Sequence, residues 1–449
     1  MALVRFFNPR SNLFATGFSF LAQAVIRLAS SLVLTRILRP EAYGVVTVLL
    51  SVMFVVEMLA DLGITVFIVR EPNVEEPRYL NTAWTMRLVR AVSNGLVVFL
   101  FAPAIASLYH VPDLVTPLRV FALWFLFGGL ESMSFPLAVR HGQARLQMYS
   151  ELISTLFASL FSVIYCYYSR DYWGMVYGIL LNRALTTLMS FHFYPQFRPK
   201  LQFDRLAARA IFRYTRLTVP SGILTLLLTQ FDKVAFLRLF DLRLLGVYAL
   251  GVNLATPIES VIGTVCHMVL YPRCAHDART DPANLSRNYY TRNTRLFASI
   301  LVLPAGVGGA ASLLIATLYD PRYASAAGVL RAFMLRATLS ALATPAEVLL
   351  IAAGESQVIL VGSVFRTLWT VAASLAGYYF FGFAGFVYGT ASSVLPALAY
   401  YMRLQHKRGL LMVKYELYKV SLALAAALSA YALSELLSAL PSMIRMHLA

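Results

Sequence analysis

Six polar side chains fall on one line along the first apolar stretch of the chain: Asn12, Thr16, Ser19, Gln23, Arg27 and Ser30. Steps of three and four residues put them on one face of a helix. Moved 202 positions along, the line lands on Tyr214, Thr218, Ser221, Thr225, Thr229 and Asp232. Five of these stay polar when the amphipathic Tyr214 is set aside. Ser and Thr alone would be satisfied by their own backbone or by a neighbouring helix. Arg27 and Asp232 would not, because a charge facing hydrocarbon costs several kcal/mol. The two faces are therefore expected to line a wet central cavity.

The carboxylates follow the same period. Glu57 and Glu259 are 202 apart, with Asp61 one turn beyond Glu57. Together with Asp232 they are candidates for accepting protons, binding a coupling cation, or pairing with Arg27 or Lys233. A fixed ion pair locking the structure is the plainer alternative. Arg87 and Arg90 open the third apolar stretch, and Arg292 and Arg295 open the ninth. Three-residue spacing puts each pair on one face. Such arginines hold a phosphate by forked hydrogen bonds, or simply anchor the helix on the side where positive charge collects. Glu131, Arg183, Arg336 and Arg366 lie inside apolar stretches without repeat partners. An ionisable group at that depth is a functional candidate by default; Arg366 reads as a cavity cation, whereas Arg183, beside Asn182, would serve equally in a salt bridge.

The elements that must position these groups are membrane-length helices. Hydrophobic residues make up 59% of the 449, charged residues 13%, and mean hydropathy is +0.68, which excludes a soluble globule. Stretches of about 20 apolar residues, enough to span a bilayer, recur near 12–36, 44–68, 88–108, 118–138, 150–168 and 174–194. A second set lies near 217–240, 245–270, 295–319, 329–351, 358–380 and 384–402, and a thirteenth near 420–440 has no counterpart. Short motifs repeat between the sets. Residues 36–44 match 238–246, Ile105 to Tyr109 match Ile315 to Tyr319, Leu118 to Phe121 match Leu330 to Phe333, and Gly174 to Gly178 match Gly385 to Gly389. Four matches in one order, with a slowly drifting shift, predict an all-α polytopic membrane protein. Its expected plan is two parallel six-helix repeats, twelve core helices and a possible thirteenth, around a central cavity. The lobes would be 1–194 and 217–402, joined by a basic linker at 195–216, with 403–449 a basic loop and an extra apolar helix. Duplicated membrane halves of this kind belong mostly to transporters, whose sites lie between the repeats.

The net charge of +17 reads first as a topology signal rather than as a nucleic-acid surface. With the N-terminus cytoplasmic, inner loops and helix ends collect about 24 of the 38 Lys and Arg. The linker carries Arg198, Lys200, Arg205, Arg209, Arg213 and Arg216 against Asp204. Leu206, Ala210, Ile211 and Tyr214 recur among them at helical spacing, which predicts a surface helix. These inner basic segments also suit anionic lipid headgroups. The first stretch lacks a small-residue cleavage signal and reads as a retained helix. Three cysteines, Cys166, Cys266 and Cys274, make neither a disulfide framework nor a metal site. The seven histidines show no ligand spacing, and there is no phosphate-binding glycine loop or H-E-x-x-H. No cofactor and no soluble catalytic module are expected.

The run LTRILRPEAYG over residues 34–44, with Asp61 to Gly63 and then Val69 and Arg70, resembles the Wzx-type oligosaccharide flippases. These belong to the multidrug/oligosaccharidyl-lipid/polysaccharide exporter superfamily. Phe231, Asp232 and Lys233 before Gly246 to Tyr248, then Pro272, resemble the way that branch opens its second lobe. The resemblance runs over about 12–402, and the unpaired thirteenth stretch departs from relatives with twelve or fourteen spans. It implies a non-enzymatic carrier in the bacterial inner membrane. Its cargo would be undecaprenyl-diphosphate-linked sugar repeat units, moved from the cytoplasmic to the periplasmic leaflet, with a polysaccharide polymerase and a chain-length regulator as possible partners. On that reading Arg27, Lys233 and Arg366 meet the diphosphate, while Gln23, Thr225, Gln230 and Asn253 meet the sugar. A drug/cation antiporter of the same superfamily is the nearest rival, and a membrane-embedded polymerase or ligase is the enzyme rival. Short outer loops speak against the enzyme, and a missing acidic–basic loop motif between the second and third stretches speaks against a major-facilitator carrier.

Overall fold

The computed structural model describes residues 12–447 except 61–62, 72–73, 75, 110, 144, 193–196, 214–230, 233–234 and 236–238. Side chains are described for all of these but 12–18, 20, 66 and 439–447. The chain divides into two compact units, Met1–Leu242 and Arg243–Ala449. The described residues are mostly helical, with no strand among them. Eight of their helical runs are long and apolar enough to cross a membrane, or nine if one pair bent by 62° counts as a span. This is a polytopic all-α membrane protein.

In the first unit the helices are α1 (Asn12–Ile37), α2 (Pro40–Leu59), α3 (Ile64–Arg70), α4 (Pro77–Leu108), α5 (Val115–Phe121), α6 (Leu123–Leu130), α7 (Ser134–Arg140), α8 (Arg145–Ser169) and α9 (Trp173–His192). A short α10 covers 205–213. Helices α2 and α4 begin with Pro at the first turn, where the missing N–H is no loss. Helices α8 and α9 pack closely. Ser150, Ser154, Ala158, Ser162 and Cys166 recur every fourth residue and are all buried. They face Gly174 and Gly178, and the Ser162 hydroxyl donates to the Gly174 carbonyl at 2.8 Å. With lipid outside as apolar as any leucine, such small residues are what lets helices approach. Where a span is interrupted, side chains meet the freed backbone. Arg140, ending α7, donates to the carbonyls of Ile68 (3.0 Å), Val69 (3.3 Å) and Glu71 (2.6 Å) at the end of α3.

The second unit holds α11 (Leu242–Val265), which runs through a π turn at Cys266–Leu270 into α12 (Tyr271–Thr280). Then come α13 (Leu285–Arg292), α14 (Thr294–Gly309), α15 (Ala311–Leu318), α16 (Ala326–Ala352), α17 (Val358–Ala391), α18 (Leu395–Lys407) and α19 (Val413–His447). Helix α16 is the hub, packing on α14, α17 and α18. Its Ala332, Ala337, Ala343 and Ala346 are fully buried, so neighbours approach its backbone. The turn expected between the eleventh and twelfth stretches is at Gly382, whose φ of 60° and ψ of −136° only glycine adopts readily. Across it Gly377 and Gly385 lie so close that a Cβ on either would strike the other's carbonyl oxygen.

The thirteenth stretch is helical and docks within the second unit. Helix α19 packs on α14 and is rooted by Lys419, which is 3% exposed. The Lys419 ammonium lies 2.8 Å from Glu416 Oε1 and 4.1 to 5.1 Å from the ring centroids of Phe297, Tyr290 and Tyr289. The Tyr290 hydroxyl donates to the same Glu416 oxygen at 2.9 Å. Burial, reinforced by the Glu416 charge, pushes the phenols of Tyr289 and Tyr290 up, so both stay neutral, Tyr290 donating to Glu416 and Tyr289 accepting from Lys419 at 3.5 Å. Breaking such a pair on one side costs more than removing it whole. Glu416→Leu should destabilise the detergent-solubilised protein by about 3–5 kcal/mol, and Glu416→Leu with Lys419→Met should recover at least half of that loss. Thermal midpoints of the three proteins test it, and an additive double variant would reject this account.

Candidate functional site

In the first unit the fourth span breaks after α6. Glu131 has φ −54° and ψ 133°, well outside helical geometry, before the chain resumes as α7. A broken span leaves backbone groups that lipid cannot satisfy, and α9 supplies the partners. Thr187 donates to the Phe127 carbonyl at 2.8 Å, and Ser190 Oγ accepts from the Ser132 amide at 2.9 Å. Ser132 and Ser134 close the break through their hydroxyls at 2.6 Å. The break aims Glu131 inward, where its residue is only 7% exposed.

Two arginines meet this carboxylate. Glu131 Oε2 lies 3.1 Å from Arg87 Nη2 on α4 and 3.2 Å from Arg183 Nη1 on α9. The Arg183 guanidinium also sits over the Trp124 ring at 5.0 Å. Gly128 makes room for it, since a Cβ there would come within 2.5 Å of an Arg183 nitrogen. One turn along α4, Arg90 lies 3.5 Å from Glu57 on α2 and 3.4 Å from the Ala60 carbonyl that ends that helix. Glu57, Arg90, Asn94, Trp124, Gly128 and Arg183 line a narrow concavity. Among the described residues, Arg90 and Arg183 line this well against Glu57, beside a buried amide and an indole face, with the Arg87–Glu131 pair joined to it through Arg183. That combination offers guanidinium donors to an anion and a ring and an amide to a hydroxyl-bearing group.

The second unit holds a smaller counterpart. Glu259 on α11 lies 2.6 Å from Arg336 Nη2 on α16 and accepts from Ser340 Oγ at 3.3 Å. Arg336 is stacked over Phe333 at 4.4 Å. Two turns along α16, Glu347 accepts from the Tyr401 hydroxyl at 3.2 Å. Arg366 is half-buried on α17, and its Nε and Nη2 have no hydrogen-bond partner among the described residues.

The remaining sequence candidates are scattered. Arg27 is exposed on α1 and reaches only Gln23, at 3.4 Å. On the same line Ser19 is buried and Gln23 half-buried, so the polar face does not end uniformly exposed. Glu57 and Glu259 each take an arginine of their own unit, Arg90 and Arg336, rather than Arg27. Arg292 pairs with Asp277 at 3.1 Å on the surface, while Arg295 and Asn253 are exposed. Asp232 is buried. Asp61, Tyr214, Thr218, Ser221, Thr225, Thr229, Gln230 and Lys233 lie outside the described residues, as do the side chains of Asn12 and Thr16. No metal-binding cluster occurs among the described residues. Sequence reading missed Trp124, Asn94 and Ser340. Two had a legible signal: Asn94 continues the helical face of Arg87 and Arg90, and Trp124 falls opposite Arg336 at the shift of 212.

A helical multi-pass membrane protein with broken spans and charged wells inside its units is of the transporter type. Residues 33–328 match the model of a family described as polysaccharide biosynthesis protein. The chain belongs to that family, the grouping to which residues 34–44 pointed. Among curated relatives, succinoglycan biosynthesis transport protein ExoT of Rhizobium meliloti (strain 1021) is 24% identical over 54% of this chain, and the match spans about half, 48%, of ExoT. Lipopolysaccharide biosynthesis protein WzxC of Escherichia coli (strain K12) is 23% identical over 81% of this chain and 73% of its own. Among solved structures, lipid II flippase MurJ in an inward closed conformation superposes with a TM-score of 0.69 at 10% identity, covering 96% of this chain and 99% of MurJ. An inward-facing multidrug resistance MATE family transporter gives 0.58 at 16% identity, covering 86% and 94%. At these identities the likeness is one of fold.

The two carboxylates of the first well should respond differently to neutralisation. Glu131→Gln leaves two arginines without a counter-charge and should cost about 3 kcal/mol or more. Glu57→Gln, whose pair is long and whose side chain is 32% exposed, should cost about 1 kcal/mol or less. Equal losses in thermal midpoint would show that Glu131 does not organise the well.

Proposed function

We propose that this protein is a flippase for undecaprenyl-diphosphate-linked oligosaccharide repeat units. It moves them from the cytoplasmic to the periplasmic leaflet of the bacterial inner membrane for surface or secreted polysaccharide assembly. The N-terminus is cytoplasmic, and the two six-helix repeats alternate in access about a central cavity. No bond is made or broken, so the protein is a carrier rather than an enzyme. The observation that carries this reading is the arginine excess of the first well, set beside Trp124 and Asn94. An anionic headgroup needs cations that are already positioned, and its sugar needs an aromatic face and amide partners. Arg87, Arg90 and Arg183 would trade part of their pairing with Glu57 and Glu131 for phosphate oxygens. Arg27, Lys233 and Arg366 would serve the diphosphate elsewhere on its path, with Gln23, Thr225, Gln230 and Asn253 toward the sugar. Arg292 and Arg295 would act at the inner surface. A cationic drug would meet the wrong sign of charge in this well, which sets the antiporter reading second. Polymerase and chain-length regulator partners belong to the same proposal.

Charge-assisted hydrogen bonds contribute about 1.5–3 kcal/mol each, so Arg90→Ala should lower flux of a lipid-linked oligosaccharide in proteoliposomes about 10-fold or more. The same variant should fail to restore surface polysaccharide in a strain lacking the gene. Full flux from correctly inserted Arg90→Ala or Arg27→Ala protein would refute the assigned phosphate path. Coupling to protons or sodium through Glu57, Asp61, Asp232 or Glu259 is the accompanying proposal. Imposing and collapsing each gradient decides it, and flux indifferent to both rejects coupling.

A further inference from the structure

The basic linker is not a loose tether. Its extended part, 197–204, is stapled along the first turns of α4 by side chains that read its backbone. Asn81 Oδ1 accepts from the Lys200 amide at 3.1 Å, Thr85 Oγ1 from the Gln202 amide at 3.1 Å, and Thr82 Oγ1 from the Asp204 amide at 2.9 Å. The Asn81 amide also donates to Gln202 Oε1 at 3.0 Å. Asp204 then caps α10, accepting from the Leu206 and Ala207 amides at 2.9 Å each. The inner face, Phe197, Ala208 and Ile211, closes into one core with residues of α3, α4 and α7.

The outer face is unlike a surface made for water. Leu201 is 74% exposed, Leu206 64%, Phe203 60% and Phe212 55%. Interleaved with them are the exposed cations Lys200, Arg205, Arg209 and Arg213, while the one acid nearby, Asp204, is committed to the cap. Packing against α4 sets the depth. Helix α4, Pro77–Leu108, is long and apolar enough to cross a membrane, and the linker runs beside its first turns, at one end of that span. Large apolar groups alternating with cations at that level match the pattern by which amphipathic segments lie in a headgroup layer.

We infer that residues 197–213 form a membrane-surface anchor for anionic lipid, held rigidly on the first unit, with Leu206 and Phe212 entering the acyl boundary and the arginines on lipid phosphates. This holds whatever cargo the protein carries. The test uses full-length protein bearing Leu206→Cys or Phe212→Cys; native Cys166, Cys266 and Cys274 are all buried, so a fluorophore attaches at the new thiol. Reconstitution is into phosphatidylcholine with or without phosphatidylglycerol. Expected is quenching by nitroxide-bearing lipid, protection from aqueous iodide, and stronger lipid quenching with phosphatidylglycerol. Arg205→Gln, Arg209→Gln and Arg213→Gln together should remove the phosphatidylglycerol effect, at about fivefold per charge in lipid partition, without moving the thermal midpoint. Iodide quenching of both labels in both lipid mixtures would overturn the inference. So would protection from iodide without nitroxide quenching, which would mean that protein and not lipid covers this face. Neither readout depends on transport.

Discussion

A charge buried among apolar helices has to be met within reach of its own side chain, and the first unit is arranged around one such demand. Glu131 is 7% exposed and carries two arginine contacts at 3.1 and 3.2 Å. Those contacts join α4 and α9 at the point where the fourth span comes apart. An unbroken helix would have carried its own backbone hydrogen bonds. Breaking it transfers that duty to Thr187 and Ser190, which fixes α9 in rotation and so delivers Arg183 over Trp124. The glycine at 128 and the serines at 132 and 134 are consequences of the same arrangement.

The second unit obeys the rule separately. Glu259 takes Arg336, and Lys419 takes Glu416 inside a ring of aromatic faces. Each of these ionic contacts joins helices or turns of one unit. Arg366 stands apart from the pattern, since two of its buried nitrogens lack partners among the described residues. A guanidinium in that condition has donor capacity left for water or an anion, which keeps it among the proposed cargo contacts.

How far the sequence reads through to this arrangement depends on which distances it encodes. Helical stretches were legible because apolar length fixes them; α19 follows the thirteenth stretch, and the turn at Gly382 falls where two stretches were separated. Spacing within a helix was legible too, and Arg87 with Arg90 do share a face. Partner choice was not legible. Arg27 and Glu57 share the first unit, yet Glu57 takes Arg90, because periodicity gives the direction of a side chain from its own axis and says nothing about which axis lies opposite. The break at Glu131 was hidden for a related reason. Gly128–Gly129 before it and Pro136 after it mark it only faintly, and its stability comes from serine and threonine on α9, some 55 residues later. Asn94 and Trp124 were within reach of spacing and repeat arguments and went unused.

The two wells also differ in a way that bears on transport. The repeat sets Trp124 opposite Arg336. In the second unit the cation therefore comes from the helix of the repeat position itself and meets Glu259 at 2.6 Å, one to one. In the first unit that position is an indole, and the cation arrives from α9 and shares Glu131 with Arg87. Beside the ring lies a narrow concavity whose arginines, Arg90 and Arg183, each lean on a carboxylate. A carrier must release what it binds. Arginines already leaning on carboxylates give a phosphate an exchange of partners rather than a new full-strength pair, which lowers the depth of the bound state while keeping its sign and geometry. For the proposed diphosphate cargo, a bare arginine cluster would bind too tightly for release, and a one-to-one pair would give little reason to enter. The well of the first unit lies between those limits.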